Sequence, residues 1–221
     1  MMFVTPLFRN RVEAGQILAR RLKSVVTDSD VLVLALPRGG VPVGFEIAKT
    51  LHVDLDVFLV RKLGVPGQEE LAMGAIASGG VKVLNEPLIQ YLGIPPTVID
   101  RVTAREQQEI ERRERAYREG RPALPVANRS VILVDDGLAT GASMLAAARA
   151  VRAQKPKRII VAVPVASRNA CEEFRQHVDD VICLETPDPF YSVGAWYEDF
   201  SQTSDAEVRE LLERASRQQV T

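Results

Sequence analysis

The chain alternates short, wholly apolar runs with longer stretches whose apolar residues recur at helical spacing. Val31-Leu32-Val33-Leu34-Ala35-Leu36 is the first such run, and Pro37-Arg38-Gly39-Gly40 stops it. A continuous apolar run of this length predicts a strand buried on both faces, as in a parallel sheet. Ahead of it, Asn10 is placed to cap a helix running to about Val26, with Val12, Ile17, Leu18, Leu22 and Val25 on its apolar face. Residues 42–51 predict a helix and 53–60 a second strand. Further on the alternation is regular: strand 130–135, helix 142–154, strand 158–164, helix 167–176, strand 178–184. This βαβαβ order predicts an α/β fold with a doubly wound, mostly parallel sheet and right-handed crossovers.

The middle of the chain is patterned differently. Residues 61–80 hold Gly64, Pro66, Gly67, Gly74, Gly79 and Gly80, which predicts a mobile loop with a short strand near Gly74–Ser78. Val81–Leu84 is a third apolar run. Pro95-Pro96 then breaks the chain before a helix from Thr97 to about Glu119. Arg101, Arg105, Glu106, Glu109, Glu111, Arg112, Arg113, Glu114 and Arg115 mix signs at helical spacing, which predicts a solvated face. Residues 85–125 therefore form a helical insertion. Residues 185–200 look loop-like and aromatic, and 204–219 form a short amphipathic helix, so 185–221 is a small C-terminal tail.

Length and charge narrow the function classes. A chain of 221 residues suits a single domain over 1–221. A formal net charge of -1 gives no bulk attraction to nucleic acid or to an anionic membrane, so an anion site has to be built locally. No apolar stretch approaches the roughly 20 residues that span a bilayer, and Met1 to Pro6 lacks the pattern of a signal peptide. Cys171 and Cys183 have no metal-type spacing. They are expected to be inert packing thiols without a disulfide, in a reducing compartment. His52 and His177 are far apart and lack metal-ligand spacing.

Ligands of open parallel sheets sit beyond the carboxyl ends of the strands, and two loops there carry chemistry. After strand 130–135 come Asp135-Asp136-Gly137-Leu138-Ala139-Thr140-Gly141-Ala142-Ser143. Glycines at the start of a helix turn backbone N–H groups toward an anion, and the helix N-terminus adds positive partial charge. Thr140 and Ser143 add hydroxyl donors. The carboxylates of Asp135 and Asp136 repel phosphate, but they can accept hydrogen bonds from sugar hydroxyls and organise Mg²⁺. In the other loop, Arg38, Gly39 and Gly40 join a forked cation to close backbone approach, which suits a pyrophosphate.

The string from Val131 to Ser143 strongly resembles the signature of type I phosphoribosyltransferases, which bind phosphoribosyl pyrophosphate (PRPP). Arg38-Gly39-Gly40 resembles the family's pyrophosphate loop, where a non-proline cis peptide is common. Arg61-Lys62-Leu63-Gly64-Val65-Pro66-Gly67 resembles the start of the mobile loop in adenine-type members. The resemblance implies Mg²⁺-dependent transfer of the 5-phosphoribosyl group to a nitrogen acceptor, a nucleobase with a purine favoured, and release of pyrophosphate. It also implies nucleotide salvage in the cytoplasm, a symmetric homodimer, and no nucleic-acid or membrane partner. By the same resemblance Asp135 and Asp136 hold the ribose hydroxyls and, mainly indirectly, Mg²⁺. Residues Gly137 to Ser143 clamp the 5′-phosphate, with backbone N–H groups of 138–142 facing the anion. Arg38, Gly39, Gly40 and Lys62 meet the pyrophosphate.

The signals for the base conflict. Ala139 stands where 6-oxopurine members carry an acid, as in adenine-type members. Yet Pro187-Asp188-Pro189-Phe190 with Val193-Gly194 resembles the hood of hypoxanthine/guanine enzymes, in which Phe190 or Trp196 would stack on a base. A stand-alone chain of this pattern is similar to bacterial phosphoribosyltransferases of unassigned acceptor. The alternative is a PRPP sensor that uses the same site without transfer. A hydrolase on a similar sheet would need an activated nucleophile, and no Cys or His stands beside the loop to supply or activate one.

Overall fold

The computed structural model describes residues 5–218. Helix α1 (Arg11–Lys23) begins where expected: Asn10 Oδ1 accepts the Glu13 N–H at 3.0 Å. Strand β1 (Val31–Ala35), helix α2 (Gly40–Leu51) and strand β2 (Asp54–Val57) follow. The expected strand 53–60 is shorter than predicted, because the chain leaves the sheet after Val57 and starts a different strand at Val60.

The largest departure from expectation lies in 61–80. Strands β3 (Val60–Val65) and β4 (Gln68–Ala77) form an antiparallel hairpin, and β5 (Lys82–Leu84) adds to it as a second, three-stranded sheet. Glycine here marks tight strand pairing: a Cβ on Gly74 would lie 2.5 Å from the Val83 carbonyl oxygen. Leu63 and Met73 are fully buried and anchor the hairpin to the core. Amide exchange of the free protein is therefore expected to be slow at 60–64 and 72–77 and fast only near the turn at Gly67. Uniformly fast exchange across 61–80 would restore the mobile-loop reading.

Helices α3 (Glu86–Leu92) and α4 (Pro96–Arg118) make up the helical insertion. The α4 helix is only partly a solvated face. It packs on β3, β4 and the last helix, with Ile99, Val102, Ile110 and Tyr117 buried. Glu106, expected outside, is buried with Arg61 and Arg105 bonded to its carboxylate. Arg118, also buried, donates through Nε to Asp56 Oδ1 at 2.8 Å and through Nη2 to the Val57 carbonyl at 3.0 Å. Two desolvated charges in such a pair tolerate each other only while both remain, so α4 is pinned to the end of β2.

Strands β6 (Ser130–Val134), β7 (Arg158–Val165) and β8 (Asp180–Glu185) alternate with helices α5 (Ala142–Ala153) and α6 (Arg168–Phe174). The main sheet has five strands in the order β2-β1-β6-β7-β8, all parallel. Every residue of β1 and β6 is buried, as their unbroken apolar runs predict. Helix α7 (Asp205–Gln218) closes the chain against α2 and α4. Among the described residues, no helix is long and apolar enough to cross a membrane.

Cys171 on α6 and Cys183 on β8 are joined as a disulfide, which corrects the expectation of two separate thiols. Their linear spacing hides the pairing, because α6 packs directly against β8. The cysteine argument for a reducing compartment lapses with it.

Candidate functional site

The strand order reverses direction between β1 and β6. From β1 the chain moves outward to β2, and from β6 it moves the other way to β7 and β8. Loops leaving two such neighbours diverge and open a crevice at the carboxyl edge of the sheet. Ala35 pairs with Val134 in register, so the Pro37–Gly40 loop and the Asp135–Ser143 loop leave the sheet side by side. A cavity of about 120 Å³ lies there, and Pro37, Asp135, Ser143, Arg61 and Arg113 are among the residues lining it. The Pro37–Arg38 peptide is cis, as the resemblance led us to expect.

Contact between the loops is close. A Cβ on Gly39 would lie 2.0 Å from Asp136 Oδ2, so any side chain there would displace that carboxylate. The two acids are not equivalent. Asp135 lines the cavity, and its Oδ1 accepts the Asp136 N–H at 2.8 Å. Asp136 instead receives the Arg11 Nε at 2.8 Å, and its carbonyl accepts the Tyr197 hydroxyl at 2.6 Å. Burial, and then the neighbouring negative charge of Asp136, hold the Asp135 carboxyl well above the usual carboxylate range. Burial also raises Asp136, against the pull of Arg11.

Helix α5 starts at Ala142 with Gly141 as its N-cap at φ +71°, a left-handed conformation that a side chain would strain. No side chain caps this end. The Leu138 N–H is not free for an anion, which corrects part of the expected clamp. It donates to the Val165 carbonyl at 2.9 Å, and the Leu138 carbonyl accepts the Ser167 N–H at 2.9 Å. These bonds hold the loop onto the end of β7. The N–H groups of Ala139, Thr140, Gly141, Ala142 and Ser143 donate to no acceptor among the described residues. Ala139, Thr140, Ala142 and Ser143 are exposed. Orphan donors at a helix start are the elements of an anion site.

Other predicted residues are placed elsewhere. Lys62 Nζ pairs with Glu70 Oε2 at 3.0 Å on the hairpin surface and is not among the residues lining the cavity. Adjacent residues of a strand point to opposite faces, and it is Arg61 that reaches the cavity. Glu69 Oε1 accepts the Gly67 N–H across the hairpin turn. Trp196 is buried in a cluster with Phe8, Val165 and Tyr197, so the structure uses its ring for packing. Phe190 packs against the same cluster and is only partly buried. Arg38 lies 3.6 Å from Asp205 Oδ1 at the start of α7, and Tyr117 on α4 donates its hydroxyl to the same oxygen at 2.8 Å. Burial and that hydrogen bond push the Tyr117 hydroxyl up to about 12.

Sequence reasoning missed Arg11, Tyr197 and Arg113. Arg11 carried a signal. A cation in the first turn of a helix opposes the helix dipole, so its presence there asks for an acid from elsewhere in the fold. Its Nη1 also donates to the Ser201 carbonyl at 2.7 Å, and its guanidinium lies 3.9 Å from the centre of the Phe200 ring. The segment before α1 pairs with the C-terminal tail through Leu7 and Phe8 N–H groups on the Trp196 carbonyl.

Among the described residues, no cluster of three or more His, Cys, Asp or Glu side chains is arranged to hold a metal. With Asp136 bonded to Arg11, Asp135 is the carboxylate lining the cavity. That donor set fits a Mg²⁺ ion that arrives on a diphosphate and gains one carboxylate or a water held by it.

Residues 64–198 match the family model of the phosphoribosyl transferase domain. The chain belongs to that family. Two curated relatives from Mycobacterium tuberculosis, strains CDC 1551 / Oshkosh and ATCC 25618 / H37Rv, bear the names "Putative phosphoribosyl transferase MT0597" and "Putative phosphoribosyl transferase Rv0571c". Each is 44% identical over 211 residues, which is 96% of this chain and 47% of the relative. The chain thus spans about half the length of these relatives. Among solved structures, TT1426 from Thermus thermophilus is 42% identical with a TM-score of 0.83, covering 94% of this chain and 98% of that one.

Proposed function

We propose that the chain binds Mg²⁺–PRPP in the crevice between β1 and β6 and transfers its 5-phosphoribosyl group to a nitrogen acceptor. The observation that carries this reading is the meeting of two loops there. One presents orphan N–H groups at the uncapped start of α5 beside a cavity-facing acid, and the other brings Pro37 to the cavity, with Arg38 next in the chain and paired with Asp205. The 5′-phosphate takes the N–H groups of 139–143, with the Thr140 and Ser143 hydroxyls. Asp135 accepts the ribose hydroxyls and favours the positive charge that builds on the ring as the C1–oxygen bond breaks. Arg38 meets the departing pyrophosphate, and the acceptor nitrogen forms the new bond to C1 and gives up its proton. Mg²⁺ travels as part of the substrate and screens the diphosphate charge. The acceptor is a nucleobase, with a purine favoured, and its ring enters beside the 187–194 segment near Phe190. A phosphorylated metabolite of this kind places the reaction in the cytosol.

The hairpin of β3 and β4 removes the composition argument for a lid, so transfer and sensing are separated by experiment. Calorimetric titration with Mg²⁺–PRPP is paired with a screen of nucleobases and other nitrogen acceptors, read as pyrophosphate release. Binding with release for one acceptor class is the expected result. Binding without release for any acceptor assigns the site to PRPP sensing, and no binding overturns the reading.

A further inference from the structure

The insertion helix α4 has so far only a packing role, yet it reaches the crevice. Arg113 on α4 and Arg61 on β3 line the same cavity as Asp135 and Ser143. Each arginine is anchored from behind by an acid of α4. Arg113 Nε donates to Glu109 Oε1 at 2.7 Å, and Arg61 Nε donates to Glu106. Their terminal nitrogens have no acceptor among the described residues. Arg112 and Arg113 hydrogen-bond the Glu109 carboxylate and hold it down at about 2, so the anchor stays charged at any working pH. One turn further along α4, Tyr117 meets Asp205, which also pairs with Arg38. The helix is thus tied to the very loop that carries the third cation.

We propose that Arg113, supplied by the insertion helix within the same chain, binds the diphosphate of the substrate together with Arg61, in the place the sequence assigned to Lys62. This rests on the PRPP reading above and names a residue that reading does not need. A guanidinium fixed through Nε keeps a planar pair of N–H groups ready for two oxygens of one phosphate. Two such forks facing one acid make a cavity suited to a polyanion that carries a divalent cation. The plain alternative is that Arg113 is a surface partner of Glu109 and nothing more, and Arg112 provides the control. It bonds the same carboxylate at 2.7 Å through Nε but does not line the cavity.

The test titrates the full chain with inorganic pyrophosphate plus Mg²⁺, and separately with ribose 5-phosphate. Arg113→Ala is expected to weaken pyrophosphate binding roughly tenfold to a hundredfold, the span of a lost charge-assisted contact. Ribose 5-phosphate affinity and the melting temperature should not change. Arg113→Lys should recover part of the loss, because it restores charge without the fork. Arg112→Ala should leave both ligands unaffected. The inference is overturned if Arg113→Ala leaves pyrophosphate affinity unchanged, if both ligands weaken alike, or if Arg112→Ala matches Arg113→Ala. A wild-type chain that binds pyrophosphate, ribose 5-phosphate and PRPP not at all would overturn the PRPP reading itself. Wild-type binding of all three with an inert Arg113 would overturn only the role of α4.

Discussion

Asp135→Asn should reduce Mg²⁺–PRPP affinity roughly a hundredfold, the scale of charge-assisted hydrogen bonds to two hydroxyls, while raising the melting temperature by a few degrees at neutral pH. Both effects come from one carboxylate. It faces the cavity, where a ribose needs acceptors, and it is half-buried beside a second acid. The sign of the stability change follows from proton binding. In the unfolded chain Asp135 ionises at the ordinary value of about 3.9. In the fold, burial first and Asp136 second hold the proton on to higher pH. Between those two values the folded state binds more protons than the unfolded one, so stability falls as pH rises through that window. The penalty grows as pH rises through that window, and Asn removes it. Below about pH 4 the wild type is protonated in both states, and the two proteins should melt alike. Calorimetric titration and thermal melts at pH 3.5 and 7.5 test both halves. Unchanged PRPP affinity would sink the proposed site. A variant less stable than wild type at neutral pH would show that the Asp135 bond to the Asp136 N–H outweighs the burial of charge.

Arg11→Ala should behave in the opposite way and destabilise the fold by roughly 3–5 kcal/mol, the usual cost of breaking a desolvated ion pair from one side. The melting temperature of a chain this size should drop by about 6–20 °C. The side chains of Arg11 and Asp136 are 11% and 15% exposed, so neither is well screened by water. Arg11 also ties the start of α1 to Ser201 and Phe200, and its loss frees the tail from the loop. The double variant Arg11→Ala/Asp136→Asn should regain much of the lost stability, because the unpaired buried charge is gone. A single variant as stable as wild type, or a double variant no better than the single, would mean that Asp136 is solvated and needs no partner. The pair of experiments also separates the two acids. Asp135 should govern ligand affinity, and Asp136 should govern how the N-terminal helix and the tail seat on the loop.

The sequence by itself determined the main sheet, because wholly apolar runs such as Val31–Leu36 and Val131–Val134 can be satisfied only between two helical layers. It also determined the turn that leads from β6 into α5. Gly141, two acids and an apolar run before a helix constrain local backbone conformation, and local conformation is written locally. It went astray at 61–80, where the glycines meant close strand pairing and not looseness. That difference depends on Leu84 lying opposite Gly74 across the sheet, with the Val83 carbonyl close against it. It could not place Cys171 beside Cys183, since α6 and β8 meet only through the packing of a helix on its sheet. It treated Arg113 as one charge among many on a polar helix, because a helix face becomes a wall of a site only when its neighbours are known. The tertiary structure alone decided which acid faces the cavity, which basic residue of Arg61-Lys62 reaches it, and what holds Asp136. Those choices follow from which chain-distant groups share a buried volume, and a linear pattern carries no record of that.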